Sequence, residues 1–301
     1  MKEFISDFNK LVKLRLTLTV VFSASIAFLI GATQQGEIIW SNWALLTFGG
    51  FLVTGAANGF NEIVERDLDK LMERTMDRPL PSGRMTSGQA LILSLFMGIF
   101  GTLVLVNLNF IAGLISVFSI ILYAFVYTPL KQKSPIAVWV GAIPGALPPL
   151  IGYYAAFKSA GFGLAYTEVS EQAVVITPWV LFMIQFFWQF PHFWAIAWVA
   201  DDDYKRAGFR LLPTTKKDKL SAWFTFVSCV LMIPVGFLPM YYGIAGWTFT
   251  VVSLIGALMF TWYGYQHLIK MEISTAKKIM FTSFAYLPIT QLLLLLDFKP
   301  F

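Results

Sequence analysis

The feature that most constrains this chain is a series of nine apolar segments, each long enough to cross a lipid bilayer. A transmembrane helix needs about 20 predominantly apolar residues. A segment in lipid must also satisfy its own backbone hydrogen bonds, so we expect helices. The sequence therefore predicts an all-α integral membrane protein, with 1–301 as one polytopic domain. The segments lie near 16–35, 40–60, 88–107, 110–130, 136–157, 174–200, 221–241, 244–266 and 279–297.

The composition is typical of a membrane protein, and the cysteine count excludes an internal disulfide and a cysteine-based metal site. Hydrophobic residues make up 57% of the chain and charged residues only 13%, whereas soluble proteins carry about 25% charged residues. Cys229 is the only cysteine, so the chain can form neither an internal disulfide nor a cysteine-based metal site.

The basic residues predict the orientation of the helices in the membrane. With the N-terminus in the cytoplasm, all of the 22 Lys and Arg residues except Lys158 and Lys299 fall in cytoplasmic segments. Cytoplasmic loops carry such an excess of positive charge. The orientation puts the C-terminus outside, and it explains the net charge of +5 without a nucleic-acid partner.

The first acidic motif lies in the region 58–87, after the second apolar segment. At about 100° per residue of an α-helix, Asn61, Glu65 and Asp69 share one face. Mg2+ prefers such oxygen ligands and often binds through one or two carboxylates plus phosphate oxygens. We expect Asp67 to point the other way and to pair with an arginine of the following loop. Ordinary solvated charges at a helix end are the alternative interpretation.

A basic loop follows this motif and favours a phosphorylated ligand. Arg74 and Arg78 precede two prolines in the sequence Arg78-Pro79-Leu80-Pro81-Ser82-Gly83-Arg84. Arginine makes bidentate contacts to phosphate oxygens. An ordinary positive cytoplasmic loop would explain the charge of this segment, but it would not explain the adjacent carboxylates.

The second acidic motif begins the region 199–220 and consists of Asp201, Asp202 and Asp203. His192 precedes Asp203 by 11 residues. A regular helix would place both side chains near one face, about 16 Å apart along the axis. Two acidic motifs at the cytoplasmic boundary predict a site for a metal and a charged substrate group.

A polar and aromatic stripe lies within the sixth apolar segment. It comprises Gln185, Trp188, Gln189 and His192, and polar residues at membrane depth are candidates for function. A hydrogen-bonded packing role is the alternative for His192. The second histidine, His267, falls after the eighth segment, where we expect it to be solvated.

These motifs together resemble the UbiA-type superfamily of intramembrane prenyltransferases, and within it the protohaem IX farnesyltransferase branch. Asn61, Glu65 and Asp69 match the superfamily pattern N-x-x-x-D-x-x-x-D, with Glu at the middle position, and the following loop matches R-x-x-R-P-L-x-S-G. The second motif departs from the D-x-x-x-D of other members, because Val199 lies four residues before Asp203. The segments similar to the haem branch are Tyr127 to Lys131, Gly145 to Gly152, Phe190 to Trp194 and Asp202 to Tyr204.

The resemblance implies a fold and an activity. The fold is a bundle of nine transmembrane helices around a central cavity that opens to the cytoplasmic side of the cell membrane. The activity is transfer of the farnesyl group of farnesyl diphosphate to a vinyl group of haem B, giving haem O and diphosphate. Haem B is then a substrate, the lipid bilayer surrounds the enzyme, and the product could pass to a downstream haem A synthase.

The resemblance also implies roles for particular residues. Mg2+ is the expected cofactor, with diphosphate-binding cations beside it and haem-binding side chains deeper in the membrane. The expected metal ligands and catalytic residues are Asn61, Glu65, Asp69 and Asp203, with Asp202 as a further catalytic candidate. The expected diphosphate-binding residues are Arg74, Arg78 and Lys131, and the expected haem-binding residues are His192 and Trp188.

Two other functions fit part of the pattern. A quinone-type aromatic prenyltransferase would share the acidic motifs, but other members tend to carry Asp where this chain has His192. A secondary transporter would carry ion-coupling acids near the bilayer midplane, whereas the acidic motifs of this chain lie at the membrane boundary.

Overall fold

The computed structural model describes residues 2–157 and 170–301, and these residues form an all-helical bundle. Lys158, predicted on the outer side, lies outside the described residues. The helices are α1 (Lys2–Leu11), α2 (Leu14–Gln35), α3 (Trp40–Asp69), α4 (Ser87–Leu108), α5 (Phe110–Ile121), α6 (Thr128–Lys133), α7 (Ala137–Ala155), α8 (Glu171–Val199), α9 (Asp201–Arg206), α10 (Lys219–Tyr241), α11 (Trp247–Lys270) and α12 (Ile273–Leu296). A π-helical turn over Leu122–Tyr127 joins α5 to α6.

Each apolar segment is helical, although the one at 110–130 is divided into α5, the π-helical turn and the start of α6. The prediction of a multi-pass helical membrane protein is confirmed. Eight of the described helical stretches are long and apolar enough to cross a membrane. The segment predicted at 136–157 forms α7, which is not among those eight and contains Pro144, Pro148 and Pro149. The count of nine membrane-spanning helices, and a cavity open to the cytoplasm, stay predictions.

The alternating directions of the helices bring both acidic motifs to one end of the bundle. Lys10 of α1 pairs with Asp77 of the loop between α3 and α4 at 2.6 Å. Arg206 of α9 pairs with Glu73 of the same loop at 2.8 Å. The loops that follow α3 and α8, although far apart in sequence, therefore cover the same end of the bundle.

The centre of the bundle is held by close backbone contact and by a buried polar network. A Cβ atom at Gly152 of α7 would lie 1.9 Å from the carbonyl oxygen of Ala24 in α2, so only glycine fits there. Pro149 lacks a backbone N–H and therefore leaves the carbonyl of Gly145 without its helical donor. Gln185 of α8 donates to that carbonyl at 2.7 Å, which fixes α8 against α7.

Two sequence-based expectations about the helices are wrong. His267 is not solvated, because α11 continues to Lys270 and the imidazole is fully buried with its Nδ1 2.9 Å from the hydroxyl oxygen of Thr275. The regular helix assumed from His192 to Asp203 ends instead at Val199, and α9 begins as a separate turn. The two side chains are therefore not aligned along one helix.

Candidate active site

The acidic face predicted on α3 is present and is buried inside the bundle. The side chains of Asn61, Glu65 and Asp69 have residue exposures of 0%, 3% and 0%. The amide of Asn61 donates to Glu65 Oε2 at 3.0 Å and to Thr128 Oγ1 at 2.9 Å. The face thus points into the bundle, toward α6, which supplies Thr128.

Two of the three predicted diphosphate-binding cations meet this face. Lys131 of α6 makes a close ion pair with Glu65. Arg78 of the basic loop donates to Asp69 Oδ2 at 2.7 Å, and its guanidinium is only 18% exposed. Each carboxylate of the motif therefore has its own cation.

Lys13 is a third cation of the site, and the sequence interpretation missed it. Its side chain donates a hydrogen bond to Asn61 Oδ1, and its backbone is left-handed, with φ 48° and ψ 58°. Such strain in a residue other than glycine is concentrated at functional sites. Asn58 and Thr17 hold the bend by donating to the carbonyl of Val12 at 3.1 and 2.6 Å.

The electrostatic setting of Lys13 suits an anionic ligand. Burial, and after it the neighbouring Arg78 cation, lower the pKa of the Lys13 ammonium to about 7. No carboxylate forms an ion pair with Lys13 in the described part of the chain. A diphosphate placed among Lys13, Arg78 and Lys131 would meet three cations and would favour their charged forms.

Glu62 is the second residue that the sequence interpretation missed. It is fully buried, and its Oε1 lies 3.6 Å from Nε of Arg78. The helical arithmetic that grouped the motif places Glu62 about 20° from Asp69. The signal was therefore in the sequence, although Glu62 lies outside the superfamily pattern.

The oxygen donors on α3 fit Mg2+. Oδ1 of Asp69 and Oε2 of Glu62 are buried and accept no hydrogen bond within residues 2–157 and 170–301. Carboxylate oxygens left in this way are suited to a hard cation. No group of three or more His, Cys, Asp or Glu side chains among the described residues forms a complete metal site. This fits a Mg2+ ion that takes one or two carboxylates and completes its coordination with phosphate oxygens and water.

The second acidic motif approaches the first through the loop after α3. Asp203 pairs with Arg206 and accepts a hydrogen bond from the backbone N–H of Glu73 at 3.4 Å. Asp202 is exposed, whereas Asp201 is buried and pairs with Lys205 at 2.7 Å. The structure places this motif over the end of α3, and none of its ion pairs reaches the carboxylates of α3.

The segment that follows α9 also contacts the site, at Lys131. The backbone N–H of Arg210 donates to the carbonyl of Lys131 at 2.7 Å. The ammonium of Lys131 lies 5.1 Å from the centre of the Phe209 ring. The position of Lys131 therefore depends on both α6 and the loop of the second motif.

Two other charged residues lie outside this cluster. The guanidinium of Arg74, expected to bind diphosphate, lies 5.7 Å from the centre of the Tyr204 ring and is exposed. Asp67 points away from the site as expected, but it pairs with Arg66 and Lys70 at 2.9 and 3.0 Å. The prediction of a loop arginine as its partner is wrong, because the nearer cations lie on α3 and at its end.

The predicted haem-binding residues form a separate group between α8 and α12. His192 Nδ1 lies 2.7 Å from the hydroxyl oxygen of Ser283. The imidazole is stacked on Trp188, with ring centres 4.5 Å apart and an angle of 18° between the planes. Trp188 Nε1 donates to the backbone carbonyl of Ser283 at 3.0 Å. His192 and Trp188 are thus held together by one residue of α12.

Comparison with known proteins shows which proteins this chain is similar to. The model of the UbiA prenyltransferase family matches residues 20–285. A protoheme IX farnesyltransferase of Cytophaga hutchinsonii is 42% identical over 290 residues, which cover 96% of each chain.

Solved structures share the fold. The structure of a digeranylgeranylglyceryl phosphate synthase matches with a TM-score of 0.78 at 20% identity, covering 98% of both chains. A UbiA homologue from Archaeoglobus fulgidus, bound to GPP and Mg2+, matches with a TM-score of 0.66 at 13% identity, covering 96% of this chain and 99% of that one. The chain belongs to the UbiA prenyltransferase family.

Proposed function

We propose that this prenyltransferase transfers the farnesyl group of farnesyl diphosphate to a vinyl group of haem B. The C–O bond to diphosphate breaks, and the farnesyl carbon forms a C–C bond with the vinyl group. Water adds to the remaining carbon centre and releases a proton, which gives the hydroxyethylfarnesyl side chain of haem O. The observation that carries this proposal is the buried face of Asn61, Glu65 and Asp69 facing Lys13, Arg78 and Lys131.

The acidic face would hold Mg2+ together with the diphosphate. The amide oxygen of Asn61 and the carboxylates of Glu65 and Asp69 would bind the ion. Glu62 and, from the second motif, Asp203 or Asp202 would add negative charge around it. Bound Mg2+ supplies charge neutralisation on the diphosphate oxygens. The present ion pairs of the carboxylates with Arg78 and Lys131 do not prevent this, because diphosphate would give the cations a new anionic partner.

The cations of the site act on the leaving group. Negative charge grows on the diphosphate as its bond to carbon breaks, and fixed positive groups stabilise that charge most strongly where water is excluded. Lys13, Arg78 and Lys131 are the buried or part-buried cations for this role. Arg74 of the loop would also contact the diphosphate. Its exposed guanidinium lies over the ring of Tyr204 and has no ion pair with a carboxylate of the described residues, so it is available to an anionic ligand.

The haem end of the site is the group around His192. A neutral imidazole can serve as an axial ligand of haem iron, and the stacked indole of Trp188 gives a flat aromatic surface beside it. The surrounding rings of Phe193 and Phe284, at 5.4 and 5.3 Å from the imidazole centre, extend that surface. The porphyrin ring of haem is flat and largely apolar, which suits such an environment.

The setting of the reaction follows from the membrane topology. The enzyme would lie in the cell membrane with its N-terminus in the cytoplasm and its C-terminus outside, so diphosphate is bound and released on the cytoplasmic side. Transfer of the product to a haem A synthase is a further prediction of the resemblance.

A direct test uses purified protein with haem B, farnesyl diphosphate and Mg2+, followed by mass analysis of the pigment. We expect a product with the mass of haem B plus one farnesyl group and one hydroxyl group. The same protein supplied with an aromatic quinone precursor in place of haem tests the alternative acceptor. Farnesylation of the precursor but not of haem would overturn the proposal, and absence of both products with folded protein would argue against a transferase of either type.

A further inference from the structure

The contact between His192 and Ser283 determines which nitrogen of the imidazole carries the proton. Ser283 Oγ lies 2.5 Å from the backbone carbonyl oxygen of Met280. Two oxygen atoms at this distance need a hydrogen atom between them, and the carbonyl has none. The single hydroxyl hydrogen of Ser283 is therefore donated to Met280, because a serine hydroxyl has only one.

The hydroxyl oxygen of Ser283 then acts as the acceptor in its contact with His192. Nδ1 of His192, at 2.7 Å from this oxygen, must donate the hydrogen. In a neutral imidazole only one ring nitrogen carries a proton. Nε2 consequently has the free lone pair, and it lies on the side of the ring away from Ser283.

The surroundings of the ring keep this nitrogen available. The imidazole contacts Ser283 and three aromatic rings, those of Trp188, Phe193 and Phe284. Nε2 takes part in no hydrogen bond within the described part of the chain. Trp188 also donates to the backbone of Ser283, so both stacked rings are tied to the same turn of α12.

We propose that Ser283 is a positioning residue that holds His192 as the Nδ1–H tautomer and so presents Nε2 as a ligand for the iron of bound haem. This rests on the proposed function, because it assumes haem as the substrate. Histidine ligands of metals generally donate their other ring N–H to an oxygen atom, and loss of that partner typically weakens metal binding 10- to 100-fold. Ser283 supplies such an oxygen from a different helix.

The tautomer can be measured in the protein without any ligand. The chain has only two histidines, so protein labelled with 15N-histidine gives the signals of two imidazoles, and His267→Gln identifies those of His192. We expect a protonated Nδ1 and an unprotonated Nε2 for His192. A protonated Nε2 in the wild-type protein would overturn the inference directly.

Haem binding then tests the role of Ser283. Ser283→Ala should mix the two tautomers, weaken haem binding about 10- to 100-fold and alter the haem absorbance spectrum, while leaving the affinity for a farnesyl diphosphate analogue unchanged. Ser228→Ala is a matched control, because Ser228 also donates to the carbonyl three residues earlier, that of Thr225 at 2.7 Å, but has no histidine partner.

The outcomes separate this inference from the proposed function. If His192→Ala and Ser283→Ala both leave haem affinity and spectrum unchanged, His192 is not a haem ligand. The proposed haem-binding role of His192 and the positioning role of Ser283 are then both refuted. If His192→Ala abolishes the wild-type spectrum while Ser283→Ala changes neither tautomer nor affinity, the haem role stands and the role of Ser283 is refuted.

Discussion

Replacement of Asp69 by Asn tests the proposed metal site most directly. The substitution keeps the shape of the side chain but removes its charge. Asp69 is fully buried, and its Oδ1 has no hydrogen-bond donor in the described structure. Its Oδ2 accepts from Arg78 at 2.7 Å. One oxygen is thus open to a cation, and the other is tied to the basic loop.

The structure indicates a modest effect on stability and a large one on turnover. Arg78 keeps Glu62 at 3.6 Å, and the new amide oxygen can still accept its hydrogen bond, so we expect a loss of about 1–2 kcal/mol in unfolding free energy. Loss of a group that stabilises transition-state charge typically lowers turnover about 10²- to 10³-fold, or about 2.7–4 kcal/mol. The effect on catalysis should therefore exceed the effect on folding.

The assay measures farnesyl transfer at limiting and at saturating Mg2+, together with the thermal midpoint of the purified protein. Asp67→Asn is the matched control, because Asp67 lies two residues away on the same helix and its side chain is 67% exposed. We expect the control to retain wild-type activity. Near-normal activity of Asp69→Asn at limiting Mg2+ would show that Asp69 is not a metal ligand.

Three further predictions concern topology, packing and pH. A cysteine placed at exposed Met76 should react only with a reagent on the cytoplasmic side and one at exposed Ser170 only from outside; the reverse pattern would refute the orientation. Gly152→Ala should lower the thermal midpoint, because overpacking against the backbone of α2 costs about 1–3 kcal/mol or more, whereas Gly50→Ala, with its nearest neighbour at 3.8 Å, should not. Asp218 caps α10, and the hydrogen bonds to its carboxylate hold its pKa below the usual value. Its stabilising effect is therefore present above about pH 4 and is lost as the pH falls through the lowered pKa, and Asp218→Asn should remove this acid-dependent part of a thermal-midpoint profile.

Sequence patterns were sufficient where a residue's position depends on regular geometry. Asn61, Glu65 and Asp69 share a face because they lie on one unbroken α-helix, and the same regularity would have revealed Glu62. His267 was placed in a loop because its neighbours are less apolar. The helix nevertheless continues, since Trp198 packs edge-on against the ring at 4.4 Å and Thr275 supplies a hydrogen-bond partner.

Other features depend on contacts between distant segments, which no local pattern encodes. The left-handed backbone of Lys13 is held by Asn58, 45 residues further along the chain. No local pattern marks Ser283, because its side chain contacts His192 on another helix. The second acidic motif turned away from the line of α8 because the helix ends at Val199.

The π-helical turn over Leu122–Tyr127 contains one residue more than an α-helical turn, and this extra residue sets the direction in which the side chains of α6 point. Its widened spacing is visible at Thr128, whose backbone N–H bonds to the carbonyl of Tyr123, five residues earlier. A one-residue deletion here would give a more regular helix, yet it would rotate everything after it by about 100°. Lys131 would then leave Glu65. The most regular helix is thus not the one that places Lys131 beside Glu65, because that contact depends on the extra residue of the π-helical turn.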